Sequence, residues 1–230
     1  MLKWVEKIAM KLNRKVLGMV LLGIAAVFAG MILINGIIFS FFTQGKTGYY
    51  LSLFFSNSLF ILLILGIMRN QNININDIGW RKTKLVPALK NIVLMWFATW
   101  ICYFLYLIVL ALAGFTPQEN GLYEMLADPT GVNLVINLLA IVVVAPLVEE
   151  TLFRGLLFGS LFPYFGKWVS IVVSSALFSA LHFDPVGFFP RFVLGICLGY
   201  LYVKNDSLFP AMGLHGLNNF VALMLVYLVN

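Results

Sequence analysis

Apolar residues run almost without interruption from Val16 to the C-terminal end, broken only by short polar stretches. About 20 predominantly apolar residues in a helix cross roughly 30 Å of hydrocarbon. On that measure the pattern predicts spans at 16–42, 49–68, 91–114, 132–162, 167–183, 188–203 and 208–228. The fourth is long, about 46 Å at 1.5 Å per residue, and Pro146 within it would raise the count to eight by dividing it. The expected fold is an all-α, polytopic integral-membrane bundle of seven or eight transmembrane helices, forming one membrane domain over 1–230. Before the first span, Lys3, Lys7, Lys11 and Arg14 alternate with Trp4, Ile8 and Leu12 at helical spacing, which suits a basic amphipathic helix over 1–15 lying in the interface. Residues 16–131 read as scaffold spans and 132–228 as the functional core.

Composition agrees with a lipid environment and excludes a water-soluble globule. The chain is 62% hydrophobic and 10% charged, with a mean hydropathy of +0.98. A net charge of +6 raises nucleic acid as a partner, but the distribution of the basic residues argues against it. Lys3, Lys7, Lys11, Arg14 and Lys15 precede the first span, and Arg69, Arg81, Lys82, Lys84 and Lys90 follow the second. The short loop between those two spans carries Lys46 alone, and 115–131 carries Glu119, Glu124 and Asp128 with no basic residue. The positive-inside rule makes the first two segments cytoplasmic, together with the N-terminus, Lys167 and Lys204, and puts the other two outside. Membrane lipid is therefore the expected partner. Cys102 and Cys197 fall inside apolar segments and behave as small hydrophobes. The Asn, Ile and Lys usage of RNQNININDIGWRKTK points to a bacterial cell membrane.

Ionisable groups inside spans are unfavourable unless paired or facing water, so each one is a functional-site hypothesis. Here almost all follow residue 148. In APLVEETLFRGLLFG a helix puts Glu150 and Arg154 on one face, one turn apart, acid before base. Glu149 points about 100° away and lacks a sequence-local partner, which leaves it free to act as a base. A structural ion-pair cluster is the competing reading of these three. The two histidines also lie in apolar segments, Phe178 one turn before His182 and His215 one turn before Asn219. If spans four and five form a hairpin turning at Pro163 to Lys167, Glu149 and His182 lie about 20 and 23 Å from that turn. Asn219 comes about 22 Å from Lys204, so the four polar groups share a level.

Glu-Glu-x-x-x-Arg at 149–154, Phe-x-x-x-His at 178–182 and His-x-x-x-Asn at 215–219, in this order, resemble the CAAX prenyl endopeptidase and bacteriocin-processing family of glutamic intramembrane proteases. The resemblance covers roughly 132–228. It implies hydrolysis of a peptide bond in a membrane-associated or lipid-modified peptide. By position it makes Glu149 the general base, His182 the residue that positions water, and His215 with Asn219 the oxyanion hole. Glu150, Arg154 and Phe178 are then supporting residues. The resemblance implies a metal-free, cofactor-free mechanism; zinc held by two His and a Glu is the chemical runner-up, although His-Glu-x-x-His is absent. A role in peptide or bacteriocin maturation or in self-immunity is also implied. Two other classes compete: a non-catalytic membrane immunity or scaffold protein, and a proton-coupled transporter, which would use the same ionisable residues.

Overall fold

The computed structural model describes residues 11–41, 46–115 and 131–229. The expected interfacial helix over 1–15 falls mostly outside the described residues, as does most of the acidic loop with Glu119, Glu124 and Asp128. Among the described residues the chain is helical with no strand. Six helices among the described residues are long and apolar enough to cross a membrane. They are α1 (Arg14–Phe41), α2 (Lys46–Asn70), α3 (Leu85–Leu112), α4 (Gly131–Ala180), α5 (Pro185–Asn205) and α6 (Phe209–Val229). A short 3-10 helix, Ile75–Ile78, lies between α2 and α3. This is an integral-membrane protein.

Among the described residues six such helices stand where seven or eight spans were expected, and α4, two limbs joined across a bend, accounts for the difference. Pro146 does not divide it. The backbone stays helical on both sides of the proline, which lies in the first turn of a short α segment, Ala145–Glu150, that directly follows a π-helical stretch. A wider turn accommodates the ring and the missing N–H. The chain is broken later, at Gly166, where φ is 69° and ψ is −178°. Only glycine adopts that conformation readily. Beyond it, residues 167–180 run back along the first limb. Phe153 and Phe178, 25 residues apart, have ring centroids 5.4 Å apart, whereas a continuous helix would separate them by about 37 Å. The hairpin expected from the sequence exists, but its second limb is shorter than a full span.

The polar breaks gather at one end of the bundle. Asn13 caps α1 by accepting from the N–H groups of Lys15 and Val16. Lys11 pairs with Asp77, the Arg14 N–H donates to the Tyr164 hydroxyl at 3.0 Å, and Arg81 pairs with Asp206 at 2.6 Å. The Leu208 N–H donates to the Gly79 carbonyl at 2.8 Å. The chain before α1, the α2–α3 connection, the bend in α4 and the α5–α6 turn therefore form one basic face.

Burial runs opposite to that of a soluble protein. Leu22, Ile32, Leu33 and Leu112 are exposed, as suits side chains that face acyl chains. One side of α1, with Val16, Val20 and Ile24, packs on Val148, Leu152 and Leu156 of α4. Every residue from Thr151 to Phe158 is buried, which makes this part of α4 the centre of the bundle. The most extensive contact is between Gly159–Ala180 and α5. Small residues permit it: Ser170, Ser174, Ser175 and Ser179 are fully buried along one limb, opposite Gly195 and Gly199 on α5.

Candidate active site

Glu149 and Glu150 close a single α turn, Ala145–Glu150, set between two π-helical stretches, Leu138–Val144 and Thr151–Phe158. Such stretches are rare and are found mostly at functional sites, because the added residue per turn re-aims the side chains around it.

Glu150 faces the protein interior. Arg154 Nη1 donates to its Oε1 at 2.9 Å, with both side chains fully buried. Arg154 Nη2 donates to the Gly195 carbonyl of α5 at 3.0 Å, and the guanidinium stacks over the Phe178 ring at 4.6 Å. One arginine thus joins the two limbs of α4 to α5. The pairing of Glu150 with Arg154 expected from their spacing is present.

Glu149 faces the other way, with its side chain 26% exposed. Its Oε2 is buried without a hydrogen-bond partner. The nearest basic group is His215 Nε2 at 3.7 Å, beyond hydrogen-bond length. His215, on α6, is therefore held between the two carboxylates, with Nδ1 3.0 Å from Glu150 Oε1. Since that carboxylate oxygen accepts, Nδ1 donates to it, and Nε2 is turned toward Glu149.

His182 follows the same logic. It lies in the turn after Ala180, and its Nδ1 is 2.7 Å from the Phe178 carbonyl. A carbonyl accepts, so Nδ1 donates and Nε2 is left as an acceptor. The Phe178 ring packs edge-on against both His182, at 5.1 Å, and His215, at 5.5 Å. Asn219 lies one turn along α6 from His215, and its Nδ2 donates to the Ile141 carbonyl in the first π-helical stretch at 3.0 Å. The structure thus joins Glu149, His215 and His182 around Phe178 and sets Asn219 against α4 one turn away.

Close approach of α6 makes this possible. A Cβ on Gly216 would lie 2.8 Å from the Val142 carbonyl oxygen. Further along, Asn137 donates to the Tyr227 hydroxyl at 2.9 Å.

Some features of the site had no signal in the sequence. The contact of His215 with Glu150 joins different helices, as does the bond from Trp80 Nε1 to Thr151 Oγ1 at 3.1 Å. The Asp184–Arg191 ion pair, at 2.9 Å, had one: seven residues are two helical turns, and Asp before Pro185 is a helix-start pattern. Among the described residues no group of three or more His, Cys, Asp or Glu side chains is placed to hold a metal ion.

Comparison with known proteins bears on residues that the geometry has just brought together. A family model described as Rce1-like, type II CAAX prenyl endopeptidase, matches residues 131–221. No curated protein and no solved structure matches the chain. The matched segment begins with α4, runs into α6, and contains all three motifs. The family is one of proteases, which is to say peptide hydrolases. Over residues 131–221, then, this integral-membrane chain is similar to the Rce1-like family of type II CAAX prenyl endopeptidases.

Proposed function

We propose that the protein is a metal-independent intramembrane endopeptidase in which Glu149 activates the attacking water. The observation that carries this reading is the asymmetry of the adjacent glutamates. Glu150 is occupied by Arg154 and His215, whereas Glu149 Oε2 has no hydrogen-bond partner and its side chain reaches the surface of the site.

In the proposed reaction His182 Nε2 accepts a hydrogen bond from the water and orients it, while Glu149 takes a proton from that water. The hydroxide attacks the carbonyl carbon of the scissile bond, giving a tetrahedral oxyanion. His215 and Asn219 donate to that oxygen. With Nδ1 engaged by Glu150, His215 donates through Nε2–H, the form in which both ring nitrogens carry a proton. Asn219 uses one N–H on Ile141, and a primary amide has two. Protonated Glu149 then returns its proton to the leaving nitrogen as the C–N bond breaks, giving a carboxylic acid and an amine. Arg154 and Glu150 act by holding His215 and Phe178.

The substrate class that fits a site inside a membrane bundle is a membrane-associated or lipid-modified peptide. We place the N-terminus and the basic face on the cytoplasmic side of a bacterial membrane, by the positive-inside rule. Peptide or bacteriocin maturation, or self-immunity, is the proposed setting.

The test is comparative peptidomics of membranes from cells with the wild-type chain and with Glu149→Gln. Specific peptides should accumulate uncut in the variant, and His182→Ala should reproduce the pattern. Undiminished cleavage in either variant removes the assigned roles. The purified enzyme should keep full activity in EDTA; one zinc per chain, needed for activity, would overturn the metal-independent mechanism.

A further inference from the structure

His182 is exposed, and among the described residues its ring makes one hydrogen bond, from Nδ1 to the Phe178 carbonyl at 2.7 Å. A side chain held so lightly takes its aim from the backbone beneath it, which decides the rotamers open to it. That backbone is strained. Phe183, the next residue, has φ of 51°, in the left-handed region that a bulky residue rarely enters. Such a conformation persists only where its surroundings over-determine it, and it clusters at functional sites.

The surroundings do so here. Just before the turn, Ser179 Oγ donates to the Phe188 carbonyl at 2.6 Å. From α3, the Tyr106 hydroxyl donates to the Val186 carbonyl at 2.8 Å. From α1, the Phe28 ring meets the Phe183 ring edge-on at 5.4 Å. Asp184 Oδ1 accepts from the Gly187 N–H at 3.0 Å and so caps α5. Arg191 then reaches back along α5, and its Nη2 meets the Asp184 backbone carbonyl at 3.1 Å and Oδ2 at 2.9 Å.

The last contact is more than a helix cap requires, because Oδ1 alone completes the cap. Nη2 carries two N–H groups. Spent on the carbonyl and the carboxylate of one residue, they leave Asp184 little freedom to turn, and the planar peptide that joins it to Phe183 is held with it. Gly187 admits the guanidinium: a Cβ there would lie 2.5 Å from Arg191 Nη2.

We propose that Arg191 is a positioning residue for His182. By gripping Asp184 it keeps Phe183 in the left-handed conformation, and so holds His182 with Nδ1 on the Phe178 carbonyl and Nε2 free for water. The proposal rests on the peptidase reading above for the task of His182, and adds the residue that sets its aim.

With two histidines in the chain, the aim of one can be read directly. The full chain, labelled with ¹⁵N-histidine in liposomes of phosphatidylethanolamine and phosphatidylglycerol, is measured by solid-state nitrogen NMR at about pH 8.5, above the ordinary imidazole pKa of about 6.5. His182→Ala assigns the spectrum. In the wild type His182 should be protonated at Nδ1 alone. Arg191→Met removes both bonds to Asp184, and Gly187→Ala pushes the guanidinium aside while keeping both charges. Each should turn the His182 signal into a mixture of tautomers and leave that of His215 in place. In isolated membranes each should slow the release of cleaved peptides about 10- to 100-fold at an unchanged amount of folded protein. A wild-type His182 that is protonated at Nε2 or mixes tautomers overturns the proposal, whether or not the variants fold. So does a His182 signal that neither variant moves, a His215 signal that moves as far as that of His182, or cleavage at the wild-type rate in both variants. Absence of any cleaved peptide from the wild type overturns the peptidase reading instead, and the spectra still decide whether Arg191 sets the ring.

Discussion

Replacing Arg154 with methionine should be among the most damaging single changes in the molecule, and its rescue should be more informative than its loss. The guanidinium is fully buried and makes three contacts, with Glu150, the Gly195 carbonyl and the Phe178 ring. Arg154→Met leaves the Glu150 carboxylate buried with His215 as its remaining partner. Breaking a buried ion pair from one side costs about 3–5 kcal/mol. The unpaired Gly195 carbonyl adds about 1 kcal/mol or more. Loss of the cation–π contact adds about 1 kcal/mol. These terms do not simply add, since one side chain makes all three. A net loss of about 4–5 kcal/mol is a large share of the stability of a typical domain. The double variant Glu150→Gln, Arg154→Met removes the stranded charge and should recover about 2 kcal/mol or more of that loss. The assay is reversible unfolding in mixed micelles by added SDS, followed by tryptophan fluorescence, for wild type, both single variants and the double. A single Arg154→Met variant within about 1 kcal/mol of wild type, or a double variant showing the plain sum of the singles, refutes this account.

Gly166→Ala should lower stability by about 1–3 kcal/mol through backbone strain alone, since its Cβ would meet nothing within 4 Å; an unchanged unfolding midpoint would contradict the bend. Gly216→Val pushes α6 away from the Val142 carbonyl and carries His215 with it. It should lower cleavage about 100-fold while helicity by circular dichroism is kept, and wild-type cleavage would show that the close approach is unimportant. Asp184, in the turn outside the spans, has a carboxyl held below its ordinary range by the Gly187 N–H, and further by Arg191. Its contribution to stability is complete above about pH 4 and is lost as pH falls through the lower folded value. Asp184→Asn should flatten the acid limb of the unfolding midpoint between pH 3 and 6; an unaltered limb would assign the acid sensitivity elsewhere.

What the sequence disclosed and what it withheld divide along a physical line. Contacts made within one helix were legible. Glu150 meets Arg154, and Phe178 meets His182, because residues four apart share a face. The reversal in α4 was legible too, since Pro163, Gly166 and Lys167 interrupt an apolar run. The length of the returning limb was not, because apolar residues continue past its end at Ala180. Contacts between helices were closed to such reading. Nothing in the spacing of His215 and Glu150, 65 residues apart, distinguishes that pair from any other histidine and glutamate. The π-helical stretches were equally hidden, because a stretch such as Leu138–Val144 is apolar all round and shows no period from which a change of winding could be noticed. Asp184 and Arg191 were within reach and were obscured by their place at the start of an apolar segment.

The short returning limb of α4 has a consequence for the bilayer itself. Residues 167–180 rise only about 21 Å as a helix, while the hydrocarbon layer is about 30 Å thick. The turn that bears His182 and Asp184 therefore ends below the level at which a full span would emerge, and the membrane must thin around it or admit water down to it. This is a hydrophobic mismatch confined to one side of the protein. It couples the protein to the acyl-chain length of its lipids: in thin bilayers the turn meets the interface, and in thick ones it is submerged. Lipid composition thereby becomes a control on how much water reaches His182, and with it on the hydrolysis proposed for this site.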